Sequence, residues 1–280
     1  MERDLDGRTF VITGANVGIG RATALALAGR GARLILACRS AEKTQPVIDE
    51  LKAAAGHDEI HFVALDLASL DSVRQCADAL VARPEPFDCL INNAGLAGVK
   101  GLTKDGFEIA FGVNHLGHFL LTLRLLDKLK AAGKARVVTV ASQAHYAAKT
   151  FDWEVRKPSA KYTALDAYQR SKVSNVLFTA EAARRWAGTG VTTYALHPGV
   201  VASAIWREIP QPFRAISKLF MISNEEGAKT SLYCATEPSL AEVSGRYYDK
   251  CQEKTPSRLA RDESLAAELW QRSLAWTGLA

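Results

Sequence analysis

Cysteine is scarce in this chain of 280 residues, and the few present lie far apart: Cys38, Cys76, Cys89, Cys234 and Cys251, an odd number with no CxxC pair. That spacing excludes a disulfide framework and a zinc ribbon, and it fits a reducing compartment. No run of about 18 apolar residues occurs, so no membrane-spanning helix is expected. Met1 to Thr9 is polar and leads straight into an apolar strand, without the apolar stretch of a signal peptide. There is no Lys/Arg-rich run and no basic stripe interleaved with aromatics. The 35 basic and 30 acidic residues are scattered, for a net charge of +5, which argues against nucleic acid as a partner. Low-complexity tracts and internal repeats are absent as well. His115 and His118 have no acidic neighbour and no third ligand close in sequence, so no metal is expected. What remains is a cytoplasmic, soluble globular protein: 48% hydrophobic and 23% charged residues are ordinary for that class.

Short runs rich in β-branched and large apolar residues alternate with longer amphipathic stretches, the rhythm of parallel βαβ units. Strands are expected at Thr9 to Thr13, Arg33 to Cys38, Ile60 to Asp66, Cys89 to Asn92, Ala135 to Ala141, Val191 to His197 and Ser244 to Tyr248. Helices are expected after the glycines at 18 to 20, near Ala41, near Leu70, from Thr103 to Ala132, from Ala164 to Trp186 and from Asn224 to Ala235. The expected fold is α/β, a doubly wound Rossmann-type parallel sheet of about seven strands with helices on both faces, formed by 1–280 as one domain. Right-handed crossovers place the ligand crevice at the carboxyl ends of the strands.

Thr13-Gly14-Ala15-Asn16-Val17-Gly18-Ile19-Gly20 follows the first strand and opens a helix. Glycines there permit a tight turn and close backbone approach, and the helix N-terminus presents free N–H groups to a pyrophosphate. Where NAD-selective sites of this fold carry a carboxylate at the end of the second strand, this chain has Cys38 followed by Arg39. A guanidinium can pair with the extra phosphate of NADP, which a carboxylate would repel. NADP(H) is therefore favoured over NAD(H), with Arg39 and Lys43 as phosphate contacts; the other reading of Arg39 is a solvated surface residue. Asp66 and Leu67 are placed to touch the adenine. Asn93, Ala94 and Gly95 would approach the ribose by backbone, although Asn92 and Asn93 serve equally well as turn residues.

Tyr168 and Lys172 stand four residues apart, on one face of a helix. An ammonium close to a phenol favours the phenolate, which turns tyrosine into an acid or base usable near neutral pH. Alone this pair is common. Together with TGANVGIG at 13 to 20, DL at 66 to 67, NNAG at 92 to 95, Asn114, Ser142 and PG at 198 to 199, YQRSK at 168 to 172 resembles the short-chain dehydrogenase/reductase family over nearly the whole chain. ACRS at 37 to 40, FGVNHLGHFLLT at 111 to 122, ASQAH at 141 to 145 and TYALHPGVV at 193 to 201 look like its retinol dehydrogenase-like branch. Two departures stand out: Ala141 replaces a serine frequent in relatives, and the N-terminal membrane anchor of several vertebrate relatives is not found.

The resemblance implies that Tyr168 gives and takes the proton, that Lys172 lowers its pKa and binds the nicotinamide ribose, and that Ser142 hydrogen-bonds the substrate oxygen. It implies that Asn114 holds a helix bend and a water leading from Lys172 to solvent. Pro198 and Gly199 would border the nicotinamide, and Ser203 would contact its carboxamide. Ile205 to Met221 is apolar and partly helical, so a lid around 203–222 over a greasy pocket is expected, unless those residues simply pack on the core. His145 to Trp153 would form another wall. The final segment, Leu265 to Leu279, has near-helical apolar spacing suited to packing on the body or on a partner. Relatives often pair through the two long helices, which suggests a homodimer or homotetramer. The implied activity is NADP(H)-dependent oxidoreduction of a lipophilic alcohol, aldehyde or ketone. The competing readings are a sensor or scaffold that binds the dinucleotide without turnover, and a ketoreductase of a more polar substrate.

Overall fold

Alternation along each central strand decides which side of the sheet a residue feeds. In β1 (Thr9–Thr13) Val11 joins one core while Phe10 and Ile12 join the other, and in β4 (Cys89–Asn92) Leu90 is set against Cys89 and Ile91 in the same way. These central strands are buried on both faces, as parallel strands with helices on either side must be. The computed structural model describes residues 3–156, 162–199 and 222–280. It adds β2 (Arg33–Cys38), β3 (Ile60–Ala64), β5 (Ala135–Val140), β6 (Val191–His197), β7 (Arg246–Asp249) and β8 (Gln252–Glu253) in the order β3-β2-β1-β4-β5-β6-β7-β8. All neighbours are parallel except β8 against β7. The order reverses between β1 and β4, where such sheets open a ligand crevice.

Helices α1 (Gly18–Ala28), α2 (Ala41–Ala55) and α8 (Asn224–Thr236) cover one face. The other face carries α3 (Leu70–Val81), α7 (Ala164–Arg185), α9 (Glu263–Thr277) and a helix in pieces: α4 (Ile109–Phe111), a π-helical turn at Gly112–Leu116, α5 (Gly117–Arg124) and α6 (Leu126–Ala131). Polar residues start the helices as their side chains require. Ser40, Ser69 and Asp262 each accept an N–H in the first turn of α2, α3 and α9, and Thr163 forms a capping box with Asp166 at α7. Among the described residues no helix is long and apolar enough to cross a membrane.

Several boundaries differ from the sequence expectation. The helix expected from Thr103 begins only at Ile109, because Thr103 Oγ1 accepts Phe107 N–H at 3.1 Å, Gly106 turns with φ +79°, and Glu108 then caps Ala110 and Phe111. β3 stops at Ala64 since Asp66 N–H donates to Ser72 Oγ at 2.9 Å, outside the ladder. β7 starts at Arg246, after Gly245 turns with φ +77°. The unexpected eighth strand follows a tight hairpin with Lys250 at φ +51° and Cys251 at +58°, the left-handed pair such turns need.

The C-terminal segment is helical and packs on the body. Trp270 stacks on Phe178 with centroids 5.8 Å apart and meets Phe119 edge-on at 5.2 Å, while Trp276 meets Phe111 at 5.7 Å. His115 Nε2 lies 3.1 Å from Ser273 Oγ. α9 therefore buries the outer side of α5 and α7 within the chain itself.

Candidate active site

The site is assembled where β1, β4, β5 and β6 end. β1 delivers Thr13, and the chain turns through Gly14 to Gly18 into α1. Gly20 has no room for a side chain: a Cβ there would lie 2.4 Å from both Asn93 Nδ2 and Gly14 O. Gly18 has φ +59° and only Asn224 Oδ1, 3.8 Å away, near the same position, so its requirement is conformational. α1 has no side-chain cap and no acidic residue in its first turn, which leaves its N–H groups and positive dipole end free for an anion. Val17 is exposed, and Asn16 and Ile19 are half-buried.

At the end of β2 the Cys38 thiol is buried; burial pushes it up, and the backbone N–H groups of Ala15, Asn16 and Gly14 pull against that. A neutral thiol thus occupies the place of the usual carboxylate. Arg39 and Lys43 are exposed, and neither side chain is in an ion pair among the described residues. Asp66 is partly engaged, accepting Ala68 N–H at 3.1 Å with Lys104 3.8 Å away, while Leu67 packs close to Gly117.

After β4, Asn93 Nδ2 donates to Thr13 O at 2.9 Å and Gly14 O at 3.3 Å, tying NNAG to the glycine loop. Asn93 and Ala94 N–H groups both donate to Thr13 Oγ1 at 2.9 Å. A Cβ on Gly95 would stand 3.2 Å from Asn114 Oδ1 and 3.7 Å from Lys172 Nζ, so its bare backbone borders the lysine. Asn114, in the π turn, is buried and fully engaged. Its amide clamps Leu96 by both N–H and C=O at 2.9 Å and donates to Ser171 Oγ at 2.9 Å; Ser171 in turn donates to Tyr168 O at 2.8 Å.

Ser142 follows β5 in extended conformation, with Oγ accepting Ala144 N–H at 3.2 Å. One turn of α7 separates Tyr168 from Lys172, whose Nζ lies 5.5 Å from the phenol ring centroid. Lys172 Nζ donates to Val140 O at 2.9 Å, and Asn175 Nδ2 reaches the same carbonyl at 3.1 Å. Burial lowers the Lys172 ammonium to about 7. Burial also raises the Tyr168 phenol, with the Ser142 hydroxyl pulling the other way. The spacing of Tyr168 and Lys172 predicts an acidified phenol; in the protein alone desolvation outweighs the help, since both groups become costly to charge in a dry site.

Ser142, Tyr168, Lys172, Asn114 and Gly95 thus come together, with Pro198 and Gly199 at the end of β6 beyond them. Ser203 and the lid expected around 203–222 lie outside the described residues, Ile222 excepted. Of the wall at 145 to 153, His145 braces Ser142, with Nδ1 2.6 Å from Ser142 O and Nε2 accepting Ser257 N–H at 3.2 Å. Trp153 packs toward α9, 6.3 Å from Trp276. Sequence reasoning missed Thr13 as a hydrogen-bond hub, and also Ser171, Asn175 and His118. It missed Arg170 too, which is buried and donates to Asp152 O at 3.0 Å. Only a hydroxyl directly before the first glycine hinted at any of these. Among the described residues no group of three or more His, Cys, Asp or Glu is placed to hold a metal ion.

Comparison with known proteins agrees with this geometry. A family model described as short chain dehydrogenase matches residues 8–212. Human retinol dehydrogenase 13 is 43% identical over 98% of this chain and 86% of its own length. Human retinol dehydrogenase 12 is 42% identical over 98% of this chain and 88% of its own. Among solved structures, a protein from Mycobacterium Paratuberculosis is 35% identical with a TM-score of 0.80, covering 99% of this chain and 97% of that one. A protein from Beutenbergia cavernae solved with bound NADP at low occupancy is 27% identical, with a TM-score of 0.73 over 89% of this chain and 97% of that one.

Proposed function

We propose that this chain, which belongs to the short-chain dehydrogenase family, exchanges a hydride between NADP(H) and a lipophilic alcohol, aldehyde or ketone. The observation that carries the proposal is the convergence of Ser142, Tyr168 and Lys172 at the strand ends, with Lys172 Nζ fixed to Val140 O beside the bare backbone of Gly95. The family binds NAD(P), and the residues fit a dinucleotide: an uncapped helix N-terminus for the pyrophosphate, and a cradle at Gly95 that any side chain would fill. Residues 14 and 16–20 would hold the pyrophosphate, Asp66 and Leu67 the adenine, Asn93 to Gly95 and Lys172 the ribose, and Pro198 and Gly199 the nicotinamide face. Arg39 and Lys43, exposed and in no ion pair among the described residues, stand next to a neutral Cys38 and favour the additional phosphate of NADP.

When bound, the nicotinamide supplies or accepts the hydride. In reduction, negative charge grows on the substrate oxygen, where the Ser142 hydroxyl donates a hydrogen bond and the Tyr168 phenol gives up its proton. The Tyr168 O–H bond breaks and its electron pair stays on the phenolate. That charge makes protonated Lys172 more favourable, and the ammonium holds the phenolate until a proton returns. A phenol kept protonated by burial at neutral pH suits the reductive direction. Several relatives more than 40% identical are retinol dehydrogenases, which supports a lipophilic substrate here.

The test is NADPH oxidation with a panel of long-chain aldehydes, retinoid-like aldehydes and hydrophilic ketones. Turnover of the apolar aldehydes, abolished by Tyr168→Phe, is expected. Cofactor binding without turnover of any carbonyl would leave the sensor reading in its place, and preference for sugars would support the polar ketoreductase.

A further inference from the structure

His118 is 2% exposed and sits between the two halves of the site. Its Nδ1 is 3.1 Å from the main-chain O of Asn114, and its Nε2 is 2.9 Å from Thr13 Oγ1. A carbonyl only accepts, so Nδ1 carries the proton. Burial holds the imidazole neutral, its pKa lowered to about 4, so Nε2 is left as an acceptor. The Thr13 hydroxyl then uses its whole capacity, donating to His118 Nε2 while accepting the N–H groups of Asn93 and Ala94 at 2.9 Å each. The alternative acceptor for its proton, Ile91 O, is more distant at 3.5 Å. A continuous path runs from the glycine loop through Thr13, His118 and Asn114 to Ser171 and the carbonyl of Tyr168.

We propose that His118, as the Nδ1–H tautomer, is a positioning residue that couples the dinucleotide-binding loops to the Asn114 turn beneath Tyr168 and Lys172, with each ring nitrogen serving one half. The Nε2 bond orients Thr13 and through it the backbone of Asn93 to Gly95, and so governs cofactor affinity. The Nδ1 bond fixes the carbonyl of Asn114 in the π turn, and so governs the alignment of the proton-handling groups. This deepens the dehydrogenase reading and rests on it only for the turnover measurement.

The two bonds can be removed separately. An asparagine amide N–H reaches the place of Nδ1 but not of Nε2, and a glutamine carbonyl reaches the place of Nε2 but not of Nδ1. His118→Asn is expected to raise the Kd for NADPH, measured by quenching of intrinsic fluorescence, about tenfold, with kcat within about threefold of wild type, an effect the size of one buried hydrogen bond. His118→Gln is expected to do the reverse: Kd within about twofold, kcat about tenfold lower. Parallel losses in Kd and kcat for both variants, or no change in either, would overturn the proposal. The unaltered protein provides a measurement free of folding defects. In histidine labelled with nitrogen-15 at pH 7.5, the resonance of His118 should show the neutral Nδ1–H tautomer, and an Nε2–H tautomer would refute the assignment. The Kd and the tautomer need no turnover, so a protein that binds NADPH yet reduces nothing would sink the dehydrogenase reading while these two still decide the role of His118.

Discussion

Gly20 and Gly18 stand two residues apart in the same loop, and the structure assigns them different reasons for being glycine. A methyl group on Gly20 would meet Asn93 Nδ2 and Gly14 O at 2.4 Å and Ala15 Cα at 3.1 Å. To admit it, α1 must move off the loop or Asn93 must swing away and give up its bonds to Thr13 O and Gly14 O. Losing these two hydrogen bonds costs about 1 kcal/mol each, and the remaining overpacking roughly 1 kcal/mol more, so Gly20→Ala should lower unfolding free energy by about 3 kcal/mol. On Gly18 the methyl enters open space, and the cost is that of a left-handed alanine, about 1 kcal/mol. Urea denaturation of the two variants and wild type, followed by tryptophan fluorescence, measures the difference. Gly20→Ala within about 0.5 kcal/mol of wild type, or less damaging than Gly18→Ala, would refute the steric argument for how NNAG locks the glycine loop.

Three further outcomes are expected. Arg39→Ala should weaken NADPH binding about tenfold, the scale of a charge-assisted hydrogen bond, and leave NADH binding nearly unchanged; equal weakening in a titration of both cofactors would reject the phosphate assignment. His115, His118 and His197 are all held neutral by burial, with pKa lowered to about 3, 4 and 4. Between pH 6.5 and about 4 the unfolded chain takes up protons that the native imidazoles refuse, so stability falls on acidification by up to about 1.4 kcal/mol per pH unit for each. Urea midpoints that stay flat between pH 7 and 5 would contradict this. Trp270→Ala should cost about 3 to 5 kcal/mol in the same unfolding assay, because α9 seals the apolar side of α5 and α7 through this ring; a loss below about 1 kcal/mol would mean that α9 adds little to the core.

The sheet was legible because its strands are short apolar runs bounded by glycine, asparagine and aspartate, and four of them, β1, β2, β4 and β6, begin and end where the pattern says. The convergence of the candidate residues was legible for a related reason: motifs at strand ends keep their order when right-handed crossovers bring those ends together. What the sequence concealed depends on tertiary hydrogen bonds. The apolar pattern starting at Thr103 looks helical, but the Thr103 hydroxyl and Gly106 wind it into a turn first. The hairpin at Lys250 and Cys251 places ordinary side chains at positive φ, against local preference. The histidine at 118 looks like any polar residue on a helix until the glycine loop, 105 positions away in sequence, is seen to end against it. The phenol offers the clearest lesson: spacing alone brings Lys172 near Tyr168, but only the fold reveals that both are buried deeply enough for desolvation to dominate.

Where the hydride and the proton go is read from NADPH carrying deuterium at both positions of nicotinamide C4, reacted with a long-chain aldehyde in ordinary water. One deuterium is expected on the carbinol carbon of the alcohol, with loss of this product in Tyr168→Phe while NADPH affinity is retained. Labelled product formed equally well by Tyr168→Phe would contradict it, and so would wild-type protein that binds NADPH tightly and transfers no deuterium to any carbonyl.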